Sequence, residues 1–132
     1  MIYDHAALEY NEPPYQEYIE ATRKELEAEI WSLFQKVANL KLNKKIFYML
    51  QTRGKLLRPT LVLLSGQSVG ASKERLKKLA LAVELLHEAT LVHDDILDND
   101  KFRRNSVAVH AKWGVRDAIL VGDALARWYE KC

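Results

Sequence analysis

From Lys73 to Asp98 the chain runs for 26 residues without a glycine or a proline. Such a stretch reads as one helix, about 40 Å long at 1.5 Å per residue. That is unusually long for a chain of 132 residues, and a rod of that length needs other surfaces to cover it. Ser72 suits an N-cap, although the acid of a capping box is missing at the third position, where Arg75 stands. Along the rod Leu76, Leu79, Val83, Leu86, Thr90 and Leu97 recur, and Asn99 is the first residue suited to stopping it.

The few remaining breakers divide the rest of the chain. Asn11-Glu12-Pro13-Pro14 closes a short N-terminal arm, residues 1–14. Tyr15, Tyr18, Ile19, Thr22, Leu26, Ile30, Leu33, Phe34 and Val37 then step by threes and fours, the stripe of an amphipathic helix. A shorter helix is predicted over Lys44–Gln51, stopping before Gly54. Arg58-Pro59 opens a third, since proline is tolerated in a first turn. Thr60-Leu61-Val62-Leu63-Leu64 is apolar all round and reads as buried, with Gly66 and Gly70 as its end. Beyond the long helix, a basic loop from Lys101 to Ser106 leads to a fifth helix from about Lys112. There is no repeat, no low-complexity tract and no stretch of sustained alternation. The prediction is an all-α helical bundle of about five helices, ending inside an apparent helix at Trp128-Tyr129-Glu130-Lys131-Cys132.

Charge and composition exclude several classes of function. Twenty Lys and Arg against eighteen Asp and Glu leave a net charge of +2, too little to argue for nucleic acid or an anionic membrane as partner. The single cysteine, Cys132, excludes an internal disulfide framework and a thiolate metal cage. No run approaches the roughly 18 apolar residues of a membrane span, and Met1-Ile2-Tyr3-Asp4-His5 lacks the character of a leader. A cytoplasmic protein is expected.

The chemistry-bearing residues gather at the end of the long helix, in His93-Asp94-Asp95-Ile96-Leu97-Asp98-Asn99-Asp100. Asp94 and Asp98 project from one face, one turn apart. Two carboxylates so placed repel each other unless a cation lies between them, and hard oxygen ligands on a helix suit Mg²⁺ completed by water and phosphate. Asp95 points about 100° away and is expected to assist from outside the metal's inner ligands. His87 stands two turns before Asp94 and Thr90 lies between, so one face offers His87, Thr90, Asp94 and Asp98 amid leucines. As a merely solvated helix end the cluster is unfavourable, since acids belong at helix N-termini.

Bases form the second signal: Gly54-Lys55-Leu56-Leu57-Arg58-Pro59, and Arg103-Arg104 shortly after Asp98. Arginine forks grip phosphate in two-point fashion, while lysine acts as a point charge. Acids that bind a cation beside bases that bind phosphate suggest room for two diphosphates, one bridged by Mg²⁺ and one held by Lys and Arg.

At these residues the sequence resembles the trans-prenyl diphosphate synthases. Asp94-Asp95-Ile96-Leu97-Asp98 matches the family's first aspartate-rich motif, DDxxD. Glu84 to His93 resembles the approach to that motif, and Arg103-Arg104 and Val109-His110 fall in register. Trp113 to Leu125 matches a family segment almost residue by residue. The likeness runs from about Phe47 to Trp128, and it implies that residues 15–132 form the N-terminal half of the isoprenoid synthase fold.

Carried over residue by residue, the resemblance makes Asp94 and Asp98 ligands of Mg²⁺ on an allylic diphosphate, with Asp95 assisting the catalysis and Arg103 contacting the same diphosphate. Gly54, Lys55, Arg58, His87 and Arg104 would hold isopentenyl diphosphate. The implied reaction ionises the allylic substrate, joins it to the isopentenyl double bond and loses a proton. Family members set product length by the bulk of residues one turn before the first Asp. Here these are Ala89 and Thr90, both small, which favours products beyond the shortest. Two departures are minor: Asn105 replaces a glycine, and Leu56 stands where many members carry a base. The large one is that no second aspartate-rich motif follows, because Glu130 is the sole acid after Asp123.

The reading is therefore a prenyltransferase subunit for chain elongation in isoprenoid biosynthesis, weak or inactive alone and completed by a partner chain. In the family, the segment matching Trp113–Cys132 contributes to a subunit interface, so a heteromer or homo-oligomer is expected. Two other readings stand beside it: a non-catalytic scaffold subunit or a truncated remnant of a synthase, and, more remotely, a His-Asp metal-dependent phosphohydrolase using His87 and His93.

Overall fold

The computed structural model describes residues 15–36, 40–52 and 54–129; the expected arm over 1–14 and Cys132 lie outside them. Within these residues the elements are α1 (Tyr15–Gln35), α2 (Leu40–Gln51), α3 (Leu57–Ser68), α4 (Lys73–Asp98), β1 (Phe102–Arg103), β2 (Ser106–Val107), α5 (Val109–Trp113) and α6 (Val115–Tyr129). The fold is all-α, as expected.

The long helix α4 is the centre. It packs most extensively against α6 and α3, while α1 lies against both α3 and α4, and α2 reaches α6. The α1 stripe delivers Thr22, Leu26, Ile30 and Phe34 to the core, and α6 contributes Ala118, Val121 and Leu125. Two polar ties hold the outer helices: Lys45 Nζ lies 2.6 Å from Asp117 Oδ2, and Glu25 receives Lys73 at 3.0 Å and Lys77 at 3.2 Å. The two lysines hold the Glu25 carboxyl below its usual range by hydrogen bonding. Such half-exposed pairs contribute about 0–1 kcal/mol each.

Four local expectations are revised. The expected fifth helix is two, because Gly114 takes φ +94° between α5 and α6, a conformation few other residues adopt cheaply. The basic loop is a small hairpin pairing Phe102 with Val107 and Arg103 with Ser106. Its turn places Arg104 and Asn105 at φ 50° and 63°, and asparagine tolerates this left-handed region well enough to stand in for glycine. α2 begins at Leu40, a turn before Lys44. Gly66 sits inside α3 instead of ending it, and a Cβ there would meet Leu76 Cδ2 at 2.2 Å.

The most consequential revision concerns which side of α4 is covered. Leu79, Leu86 and Leu97 are exposed, whereas the buried face carries Ala80, Glu84, Leu85, Glu88, Val92 and Asp95. The apolar stripe along the rod, Leu76 apart, therefore belongs to the open side. Among the described residues no helix is long and apolar enough to cross a membrane.

Candidate functional site

The three acids at the end of α4 are separated by helix geometry into two kinds. Asp94 and Asp98 are exposed, and Asp95 is buried, at 4% exposure. Arg103, on β1, lies across Asp95: its Nε donates to Oδ1 at 3.0 Å and to Oδ2 at 2.9 Å, and its Nη2 donates to Oδ1 at 2.6 Å. These bonds raise the Arg103 pKa further and keep the guanidinium charged. Asp95, expected to assist at the metal, thus faces the hairpin.

A second pair repeats the device two turns earlier. Glu88 is 2% exposed, and its Oε1 receives Arg104 Nη1 at 3.2 Å. The same Nη1 reaches the Thr52 carbonyl at 3.4 Å, which brings the hairpin to the end of α2. Gly54 leaves the space for this: a Cβ there would lie 3.2 Å from Arg104 Cζ. Glu88 was missed in the sequence, although the step that aligns His87 with Asp94 aligns Glu88 with Asp95 as well.

Arg58 and His87 form the third contact. Arg58 Nη1 lies 3.0 Å from His87 Nε2. A guanidinium only donates, so Nε2 is the acceptor and the ring proton sits on Nδ1. Burial first, then the charges of Arg58, Arg104 and Arg103, push the His87 pKa down from its ordinary value. His87 is thereby a neutral member of a basic cluster drawn from α3, α4 and the hairpin. Lys55, in the segment before α3, is exposed, and among the described residues it forms no ion pair. Thr90 is exposed on the face of Asp94, while Ala89 is buried in the core. The two residues expected to set product length therefore face different surroundings.

The donor set fits Mg²⁺ in a limited way. Asp94 and Asp98 offer hard oxygens, and neither forms an ion pair among the described residues. No group of three or more His, Cys, Asp or Glu capable of holding a metal occurs there either. Two carboxylates alone match a cation that keeps its waters and takes phosphate oxygens; they do not match a closed protein cage. The histidines do not converge on them. His93 Nε2 packs into α6, 3.2 Å from the Ile119 carbonyl and 3.6 Å from Asp123, and His110 Nε2 lies 2.6 Å from the Asp100 carbonyl.

Comparison with known proteins identifies the family and the fold. The polyprenyl synthetase family profile matches residues 39–131. A geranylgeranyl diphosphate synthase of Saccharolobus solfataricus is 49% identical over 84 residues, which is 64% of this chain and 25% of that protein. Heptaprenyl diphosphate synthase component 2 of Geobacillus stearothermophilus is 42% identical over 84 residues, 64% of this chain and 26% of the relative. Among solved structures, a geranyltranstransferase from Thermotoga maritima superposes with a TM-score of 0.81 at 33% identity, covering 86% of this chain and 44% of that one. The chain thus matches about a quarter of the length of these curated relatives.

Proposed function

The chain belongs to the polyprenyl synthetase family, and on that premise we propose that it supplies the first metal–diphosphate half-site of a prenyl diphosphate synthase. The observation that carries this reading is the division of labour among the acids. Asp94 and Asp98 are left open to solvent, while Asp95 and Glu88 are spent on fixing two consecutive arginines beside them.

In this reading Asp94 and Asp98 hold Mg²⁺, which when bound offsets the charge that builds on a departing diphosphate. Arg103, oriented by Asp95, faces the allylic diphosphate. Arg104, Arg58, Lys55 and neutral His87 receive isopentenyl diphosphate, with Gly54 keeping the approach open. The allylic carbon–oxygen bond breaks and the diphosphate leaves with the electron pair. The isopentenyl double bond then attacks the allylic cation, and a proton is lost from the condensed product. The exposed Leu79, Leu86 and Leu97 give an apolar wall that keeps water from the cation. Thr90, small and on that wall, leaves a lengthening chain room.

The remaining ligands and the far wall must come from residues beyond these, and we assign them to a second subunit carrying the other aspartate-rich motif. Similarity to a protein named as one component of a heptaprenyl diphosphate synthase supports that assignment. The reaction belongs in the cytoplasm, and the single cysteine suits a reducing compartment.

The test is elongation of an allylic diphosphate by labelled isopentenyl diphosphate with Mg²⁺, using the chain alone and with a second-motif subunit. Product only in the mixture, lost in Asp94→Ala, is expected. Product that survives Asp94→Ala would leave the chain a scaffold.

A further inference from the structure

Apart from the acids, α1, α2 and α5 border an open cleft of about 800 Å³. Its floor is aromatic. Trp31 stacks on Phe47 with ring centroids 4.3 Å apart, and Tyr48 meets Trp113 edge-on at 4.9 Å. The charged residues that line it are Lys44 and Lys112. Lys112 Nζ sits 4.2 Å from the Tyr48 ring centroid and 5.1 Å from that of Trp113, so the ring faces hold the ammonium over the floor. Lys44 stands one helical turn before Tyr48 and shares its face. Lys112 thus lies over the Tyr48 ring while Lys44 lines the cleft one turn away on α2, and among the described residues neither has an acid as partner.

Two unmatched positive charges over a stacked apolar floor call for an anion with an apolar body; neither a bare anion nor a neutral hydrocarbon answers both halves. The volume suits a molecule larger than an isoprene unit. The cleft shares no residue with the Asp94–Asp98 face. It does touch the arginine hairpin at one point, since Tyr48 Oη donates to the Val107 carbonyl at 2.7 Å.

We propose that this cleft is a second, metal-independent site for a long-chain prenyl diphosphate, with the prenyl tail on Trp31 and Phe47 and the phosphates between Lys44 and Lys112. Naming a prenyl diphosphate rests on the function proposed above; the demand for an amphipathic anion does not.

Two of the three tryptophans of the chain, Trp31 and Trp113, line the cleft, so intrinsic fluorescence reports occupancy. Farnesyl diphosphate added in EDTA should change the emission saturably, in the native chain and equally in Asp94→Asn. Farnesol, inorganic diphosphate and laurate should each bind at least about tenfold more weakly, as should farnesyl diphosphate to Lys44→Gln/Lys112→Gln. Both lysines are exposed, and unchanged helicity of the double variant shows that it folds. A response that requires Mg²⁺ and vanishes in Asp94→Asn, or that survives the lysine substitutions, overturns the proposal. Laurate binding as tightly as farnesyl diphosphate overturns the prenyl assignment. Loss of elongation activity alone would count against the proposed function and not against this site.

Discussion

Arg103 covers both carboxylate oxygens of Asp95, with three donor–acceptor distances between 2.6 and 3.0 Å. The middle acid of an aspartate triplet is thereby tied to the hairpin, and its neighbours in sequence are left to solvent. The buried Asp95 carboxylate is stable only with the arginine bound, because removing Arg103 would strand its charge away from water.

Asp95→Asn is predicted to cost about 1–3 kcal/mol of folding stability, because the Arg103 left behind is 31% exposed and can be hydrated. Asp94→Asn, at an exposed position, should stay within about 0.5 kcal/mol of the native chain. Urea unfolding followed by circular dichroism measures both, and equal effects would contradict the assigned roles.

His87 should titrate below its ordinary value of 6.5, owing to burial and then to the three arginines. Because its folded pKa is depressed, the unfolded chain takes up the proton first as pH falls. The stability contributed by neutral His87 is complete above about pH 6.5. It declines as pH falls from there and levels off below the folded pKa. NMR of the imidazole protons reads the pKa directly.

Gly54→Ala tests the channel that Arg104 crosses. The new Cβ would press on the guanidinium at 3.2 Å, and that flexible end can yield, so stability should fall by less than about 1 kcal/mol. In the two-subunit assay the KM for isopentenyl diphosphate should rise about tenfold. The KM for the allylic substrate should not move.

Gly122→Ala tests the contact between α4 and α6. Its Cβ would lie 2.1 Å from His93 Nε2, and overpacking of this kind costs about 1–3 kcal/mol. Removing the ring as well, in Gly122→Ala/His93→Ala, should recover part of that loss. A double-mutant cycle on thermal unfolding gives the coupling.

Helical periodicity made the long rod, the α1 stripe and the Asp94–Asp98 pair legible in the sequence, because all three depend only on 3.6-residue geometry. Periodicity groups residues on a face without saying which face is covered. Glu88 and Asp95 look like solvent residues, and they go inside because the hairpin folds Arg103 and Arg104 back onto them. Leu79, Leu86 and Leu97 look like core and face outward because α4 packs on α3 and α6 through its other face. The hairpin was invisible because two-residue strands are too short to alternate. The break at Gly114 was missed because the apolar pattern of α6 continues smoothly from α5.

The central claim is that Asp94 and Asp98 meet a metal–diphosphate while Asp95 only positions Arg103. It is tested most directly by titrating the ¹⁵N-labelled chain with Mg²⁺ and dimethylallyl diphosphate and following its amide resonances. Shifts confined to the end of α4 and the arginine hairpin are expected, requiring both components and absent in Asp94→Asn/Asp98→Asn. The same shifts in that double variant, or shifts produced without Mg²⁺, would contradict it.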